Sequence, residues 1–280
     1  MGRFANTKEL AKASWSVLKT DKELAVIPVL SFVVAGAATA MVAGGICFSL
    51  DTTTATTAGS DELTATPVTY VVGAVGYLLI TFIVTFFTGA LVAGALERFR
   101  GGNPTVSSSL SGAASRLGPL ALWSLLTGTV GLILQSLEER AGFIGQLVLR
   151  GIGMAWQIVT WLAVPIIIDQ GTGPITSLKA SAGLFKKTWG ENLISQAGLG
   201  LLGFLSMLVG VGVAVALVFV APIVGIVVGV VWIAASAVLF SALNGILRTA
   251  VYLYATGQPV PQFSEQALAG AFRTRTSRFS

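Results

Sequence analysis

The sequence predicts an all-α membrane protein, a polytopic helical bundle with six transmembrane helices arranged as three hairpins and with amphipathic helices at the cytoplasmic face. Only 10% of its 280 residues are charged, whereas soluble domains carry about 25%. Hydrophobic residues make up 54% of the chain and are collected in long runs. A short proline-containing segment recurs three times, and each stretch between its copies is long enough for two membrane spans.

The recurring segment is Gly102-Asn103-Pro104, then Thr172-Gly173-Pro174, then Gly257-Gln258-Pro259. Small or polar residues follow each proline, and basic residues follow these. We predict that residues after each proline form a helix on the cytoplasmic surface. The chain is then one integral membrane domain, 1–280, built from three similar units.

Residues 1–25 are predicted to form an amphipathic N-terminal helix at the membrane surface. At 100° per residue, Leu10, Ala13 and Val17 share one face, and lysines lie opposite. Trp15 falls on the lysine side, so this face is expected to pack against another part of the protein.

Apolar runs and their polar boundaries define the spans. The segment 97–100, with three charged residues, ends the second run. Pro119 starts the third run in a first-turn position, and Pro222 divides the long run 193–247 into two spans. Asp169 ends the fourth, whose start is the least defined limit. The predicted spans are about 26–50, 68–96, 119–137, 150–168, 193–220 and 223–247, and 248–280 is a cytoplasmic tail.

Basic residues predict the orientation. Six spans with both termini cytoplasmic place 15 of the 17 lysines and arginines inside, as the positive-inside rule requires. Only Arg140 and Arg150 lie toward the outer side. The predicted localisation is therefore the cell membrane.

Two short motifs resemble a known family. Trp15–Leu24 precedes the first span and Phe185–Leu193 precedes the fifth, and both resemble segments of a family of six-span prokaryotic membrane proteins of unknown function. That family is distantly similar to the membrane domain attached to some glycerophosphodiester phosphodiesterases. The resemblance implies a fold and transfers no catalytic residue.

Composition argues against an enzyme. The chain has no histidine, and Cys47 is its one cysteine, which excludes histidine acid–base catalysis and Cys/His zinc sites within one chain. Glu138-Glu139 is interpreted as a solvated outer turn rather than an acid–base pair. Gly101–Pro104 lacks the ending of a phosphate-binding loop. We predict no catalytic residue, no metal and no cofactor, and no nucleic-acid partner.

Two groups of residues are candidate binding sites. Seven cytoplasmic cations could contact anionic lipid headgroups, or could serve only to fix the topology. Arg150 and Gln157 could form a pore or an anion site; alternatively, Arg150 snorkels to the surface and pairs with Glu139. The candidate lipid contacts are Lys8, Lys12, Lys19, Lys22, Arg116, Lys186 and Lys187.

The predicted function is non-enzymatic. A multi-pass protein of this kind would self-associate, with Gly36/Ala40/Gly44 and Gly225/Gly229 as candidate close-packing faces. It would organise lipid or an unidentified partner at the inner membrane face. The alternative is a small-solute or ion transporter or channel, although the spans are nearly free of the charged groups that transport pathways use.

Overall fold

The structure, a computed structural model, describes residues 3–51, 66–188, 197–219, 221–261, 263–264 and 268. All regular secondary structure within these ranges is α-helical, which confirms the predicted class. The helices are α1 (Arg3–Thr20), α2 (Glu23–Asp51), α3 (Pro67–Phe99), α4 (Val106–Ala114), α5 (Leu117–Arg140), α6 (Phe143–Thr160), α7 (Ala163–Gln170), α8 (Pro174–Thr188), α9 (Ala197–Val218) and α10 (Pro222–Ala255).

Among the described residues, five helical segments are long and apolar enough to cross a membrane. They are Glu23–Ser49, Pro67–Phe99, Leu117–Arg140, Phe143–Gln170 and Pro222–Ala255. At the position of the fifth predicted span lies a shorter apolar helical segment, Gly203–Val218 in α9. The count of six crossings stays a prediction.

The predicted fourth span, 150–168, falls on two helices rather than one. Helix α6 begins at Phe143, and α6 and α7 are separated at Trp161 and Leu162. Pro165 lies four residues after Trp161 and has no backbone N–H to donate to the Trp161 carbonyl. The break therefore lies one turn before the proline, where a helical hydrogen bond is missing.

Successive long helices run antiparallel and approach closely at glycines. A Cβ at Gly76 of α3 would come within 2.5 Å of Val42 of α2, and one at Gly128 of α5 within 2.7 Å of Leu78 of α3. A Cβ at Gly229 of α10 would come within 2.8 Å of the Ala214 side chain of α9. Such contacts supply packing where lipid provides little hydrophobic drive between helices.

The core lies at one end of the bundle. We call this the basic end: it comprises α1, α4, α7 and α8, the N-terminal parts of α2 and α5, and the C-terminal parts of α3 and α10. The opposite end, with the turn between α5 and α6 and the turn between α9 and α10, is the far end. Buried side chains of the basic end include Leu24, Ile27, Val92, Leu96, Phe99, Leu120, Ile166, Ile167, Ile246, Tyr252 and Leu253.

Three helices of the basic end stop at a glycine with positive φ. Helices α3, α7 and α10 are followed by Gly101 (φ 85°), Gly171 (φ 66°) and Gly257 (φ 75°). Glycine takes this left-handed conformation without the steric penalty of a Cβ, and it commonly ends helices. Each of these glycines lies two or three residues before the proline of a recurring segment.

Helices α4 and α8 occupy the first two segments predicted to be helical after a proline. The third segment lies mostly outside the described residues, although Phe263 and Leu268 are buried there. The three-unit repeat stays a prediction.

Candidate functional site at the basic end

A polar network joins the three glycine turns. Arg100, at the end of α3, donates from Nη2 to Asp169 Oδ1 at 2.6 Å and to Gln258 Oε1 at 3.3 Å. Tyr252 of α10 donates its hydroxyl proton to Asp169 Oδ2 at 2.7 Å, and Gln170 Nε2 donates to the Tyr252 hydroxyl at 3.1 Å. These bonds hold the C-terminal ends of α3, α7 and α10 together.

A second ion pair fixes the turn between α1 and α2. The guanidinium of Arg98 on α3 donates from Nε and Nη2 to the two carboxylate oxygens of Asp21. Arg98 Nη1 also donates to the Gly102 carbonyl at 3.3 Å. The Asp21 side chain is only 4% exposed, and a buried carboxylate requires such a partner. The α1–α2 turn is thereby attached to α3.

Two carboxylates accept hydrogen bonds from the first turn of α4. Glu23 Oε2 accepts from the Val106 backbone N–H at 2.7 Å, and Glu97 Oε2 accepts from Ser108 Oγ at 2.7 Å. Negative charge is favourable at a helix N-terminus, where backbone N–H groups lack partners within the helix. Thr105 and Ser108 complete the end with a reciprocal capping box. Glu97, predicted only as part of a charged boundary, thus positions α4.

A groove lies between α1, α2 and α10, with a volume of about 700 Å³. Its walls are apolar, and the charged residues that line it in the described part of the chain are Lys19 and Lys22, near the α1–α2 turn. The remaining lining residues are Trp15, Leu18, Ala25, Val29, Phe32, Val33, Val231, Ala234, Ala235, Val238, Leu239 and Ala242.

The two lysines at this end of the groove form no ion pair with any described residue. Within the described ranges the ion pairs are Arg98–Asp21 and Arg100–Asp169, so neither Lys19 nor Lys22 has a carboxylate partner. Lys19 Nζ instead lies 5.8 Å from the centre of the Trp15 ring. The cation–π contact orients Lys19 without neutralising it.

The structure brings together only part of the predicted lipid-contact set. Lys19 and Lys22 share the groove, whereas Lys12 of α1 and Lys186 of α8 are exposed away from its lining. The Arg116 side chain is half-buried, and its Nε donates to the Ile168 carbonyl at 3.4 Å. The side chains of Lys8 and Lys187 lie outside the described residues.

Arg150 and Gln157 lie on one face of α6, and both are exposed. They do not line the groove, and neither side chain hydrogen-bonds to another described residue. Glu139 accepts from Gln135 Nε2 at 3.3 Å, and no Arg150–Glu139 ion pair forms among the described residues. A pore or anion site at these two residues stays a prediction.

Sequence reasoning missed Arg248, which it interpreted only as the end of the sixth span. Its guanidinium carbon lies 5.6 Å from the centre of the Trp161 ring, beside the α6–α7 break. Its Nε is buried and has no hydrogen-bond partner in the described part of the chain. The cation–π contact holds α10 against the α6–α7 region. Sequence spacing carries no signal for such a contact between distant residues.

Comparisons with known proteins give relatives without assigned activities. An uncharacterized protein of Mycobacterium bovis is 28% identical over 221 residues, which are 76% of this chain and 62% of that protein. An uncharacterized protein of Mycobacterium tuberculosis strain H37Rv is 27% identical over the same length and coverage. This chain therefore spans about three fifths of the curated relatives it matches.

No solved structure matches the chain. A family model, described as a family of unknown function (DUF6159), matches residues 67–260, which run from the start of α3 past the third glycine turn. This match extends over more than half of the sequence. The chain belongs to that family of unknown function, DUF6159.

Proposed function

We propose that this protein is a non-enzymatic multi-pass membrane protein that organises anionic lipid at the inner face of the cell membrane and self-associates there. The observation that carries the proposal is the pair of lysines at one end of an apolar groove, neither of which has a carboxylate partner among the described residues. Apolar surface beside positive charge matches the chemistry of an anionic phospholipid.

Further exposed lysines support this assignment. Lys12 and Lys186 also lie at the basic end and lack a carboxylate partner among the described residues. Each basic residue near an anionic leaflet gains about 1 kcal/mol of attraction. The predicted likeness to the membrane domain of glycerophosphodiester phosphodiesterases would suit a role at lipid headgroups, and it stays a prediction.

Self-association is proposed through α2 rather than α10. A Cβ at Gly225 would clash with the Val218 backbone, and one at Gly229 with Ala214, so that face already packs against α9. A Cβ at Gly36 or Gly44 would meet no described residue within 4 Å. The Gly36/Ala40/Gly44 face is therefore open to close packing with another chain. The transporter alternative gains no comparable support, because Arg150 and Gln157 are apart from the groove.

The test is lipid enrichment in particles extracted with native lipid. The ratio of anionic to zwitterionic phospholipid around the protein should exceed that of the source membrane. In the variant Lys12→Gln/Lys19→Gln/Lys22→Gln/Lys186→Gln, the ratio should fall to the bulk value. Arg140→Gln, which removes a charge at the far end, is the control and should leave the enrichment unchanged. Absence of enrichment around the wild-type protein would overturn the lipid proposal.

A further inference from the structure

We infer that the groove between α1, α2 and α10 holds one acyl chain of an anionic phospholipid, whose phosphate lies against Lys19 and Lys22. The inference rests on the proposed function and adds to it a binding site for one lipid molecule. The volume of about 700 Å³ lies within the roughly 300–1,000 Å³ typical of small-molecule pockets.

The length of the groove suits one membrane leaflet. Its α10 wall extends from Val231 to Ala242, about 16 Å at 1.5 Å per residue. The hydrocarbon core of a bilayer is about 30 Å thick, so this wall covers about half of it. The lysines lie at the α1–α2 turn and Trp15 lies one turn earlier on α1, where the groove meets the basic end. Tryptophan favours the headgroup level of a membrane.

The walls favour an acyl chain over other occupants. Alanines on both long helices, Ala25 of α2 and Ala234 and Ala235 of α10, keep the groove open. Among the described residues, its lining has no polar groups besides the two lysines and the indole N–H of Trp15. A polar solute would lose its hydration there without finding new hydrogen bonds.

The carboxylates that neighbour the lysines in sequence are bound to other partners. Asp21 is bound to Arg98, and Glu23 accepts from the Val106 N–H. These carboxylates cannot turn toward Lys19 or Lys22 without breaking those contacts. Two ammonium groups therefore remain for one phosphate, and hydrogen bonds between ionised partners are about twice as strong as neutral ones.

The experiment is native mass spectrometry of the delipidated full-length protein. It is titrated with dioleoyl phosphatidylglycerol or with dioleoyl phosphatidylcholine, which share their acyl chains and differ in headgroup charge. We expect one saturable phosphatidylglycerol adduct, bound at least tenfold more tightly than phosphatidylcholine.

Two matched pairs of variants locate the lipid. Ala235→Trp fills the groove and should abolish the adduct, whereas Val230→Trp, on an exposed position of α10 outside the lining, should not. Lys19→Gln/Lys22→Gln should weaken phosphatidylglycerol binding at least tenfold. Lys12→Gln/Lys186→Gln removes the same charge elsewhere and should leave the adduct intact.

Survival of the adduct in Ala235→Trp would overturn the inference, and so would equal losses in the two lysine pairs. Either result, with enrichment still present in native-lipid particles, would indicate diffuse attraction to the basic surface; the proposed function would then stand without a groove site. Loss of enrichment itself would instead overturn the proposed function.

Discussion

The basic end and the far end of the bundle are stabilised differently. At the basic end, large side chains such as Leu24, Ile166 and Tyr252 are fully buried, and two arginine–carboxylate pairs join distant helices. At the far end, Phe143 is 85% exposed and Phe219 is 86% exposed. Side chains that would be buried in a soluble core are here left to face lipid.

This difference follows from the two solvents. Lipid tails are as apolar as leucine, so burying an apolar side chain between spans contributes little free energy in the membrane. Van der Waals packing where backbones approach closely at glycines stabilises the helix pairs instead. Outside the hydrocarbon, moving apolar side chains out of water is favourable again. Ion pairs and helix caps there fix the relative orientation of the helices. The basic end therefore sets the arrangement of the helices, and the far end leaves surface for lipid.

The largest expected effect tests which side the basic end faces. In a Cys47→Ser background, cysteine at Ser111, an exposed residue of α4, should not react with an impermeant thiol reagent in whole cells. Cysteine at Glu139, exposed near the far end, should react fully. Ser109 is unsuitable for this test because it is fully buried. Labelling in the opposite sense would reverse the topology and place the groove in the outer leaflet.

Removal of Arg98 should destabilise the fold most among single substitutions. Arg98→Ala leaves the Asp21 carboxylate buried without its partner, and breaking a buried pair costs about 3–5 kcal/mol. Reversible unfolding in mixed micelles measures the free energy of unfolding. Arg140→Ala, an exposed far-end residue, should change it by less than about 0.5 kcal/mol. Equal effects at the two positions would contradict the contrast between the ends.

Leucine substitutions at the two glycine faces should have different effects, one on the stability of the fold and the other on self-association. Gly225→Leu/Gly229→Leu forces side chains into α9, and overpacking costs about 1–3 kcal/mol per site. Gly36→Leu/Gly44→Leu meets open space and should keep the free energy of unfolding while reducing particle mass in light scattering. A wild-type protein that is monomeric in native-lipid particles would contradict the self-association proposal.

The smallest effect concerns the network between the glycine turns. Tyr252→Phe removes the hydrogen bond to Asp169 and the one from Gln170, and leaves the Arg100–Asp169 pair in place. Each lost hydrogen bond costs about 1 kcal/mol. Tyr70→Phe, at an exposed position of α3 near the far end, should be neutral. Thermal unfolding of both variants checks the difference, and a larger loss for Tyr70→Phe would contradict it.

The sequence alone determined the class of the protein and several helix ends. Runs of apolar residues with few charges require membrane-spanning helices, because a backbone in lipid must satisfy its hydrogen bonds internally. The recurring segments after Pro104 and Pro174 were predicted as helices, and α4 and α8 lie there. Glycine and proline act on the backbone next to them, so such boundaries can be predicted without knowing the neighbours.

Tertiary structure decided which residues meet. Asp21 and Arg98 are 77 residues apart, and Asp169 and Tyr252 are 83 apart, so no local pattern indicates either contact. The Gly36 and Gly229 faces look alike in sequence, yet among the described residues a neighbouring helix covers the second and not the first. The groove beside Lys19 and Lys22 could likewise not be predicted from the sequence. Those features depend on how helices pack, and packing is a property of pairs of surfaces that are distant along the chain.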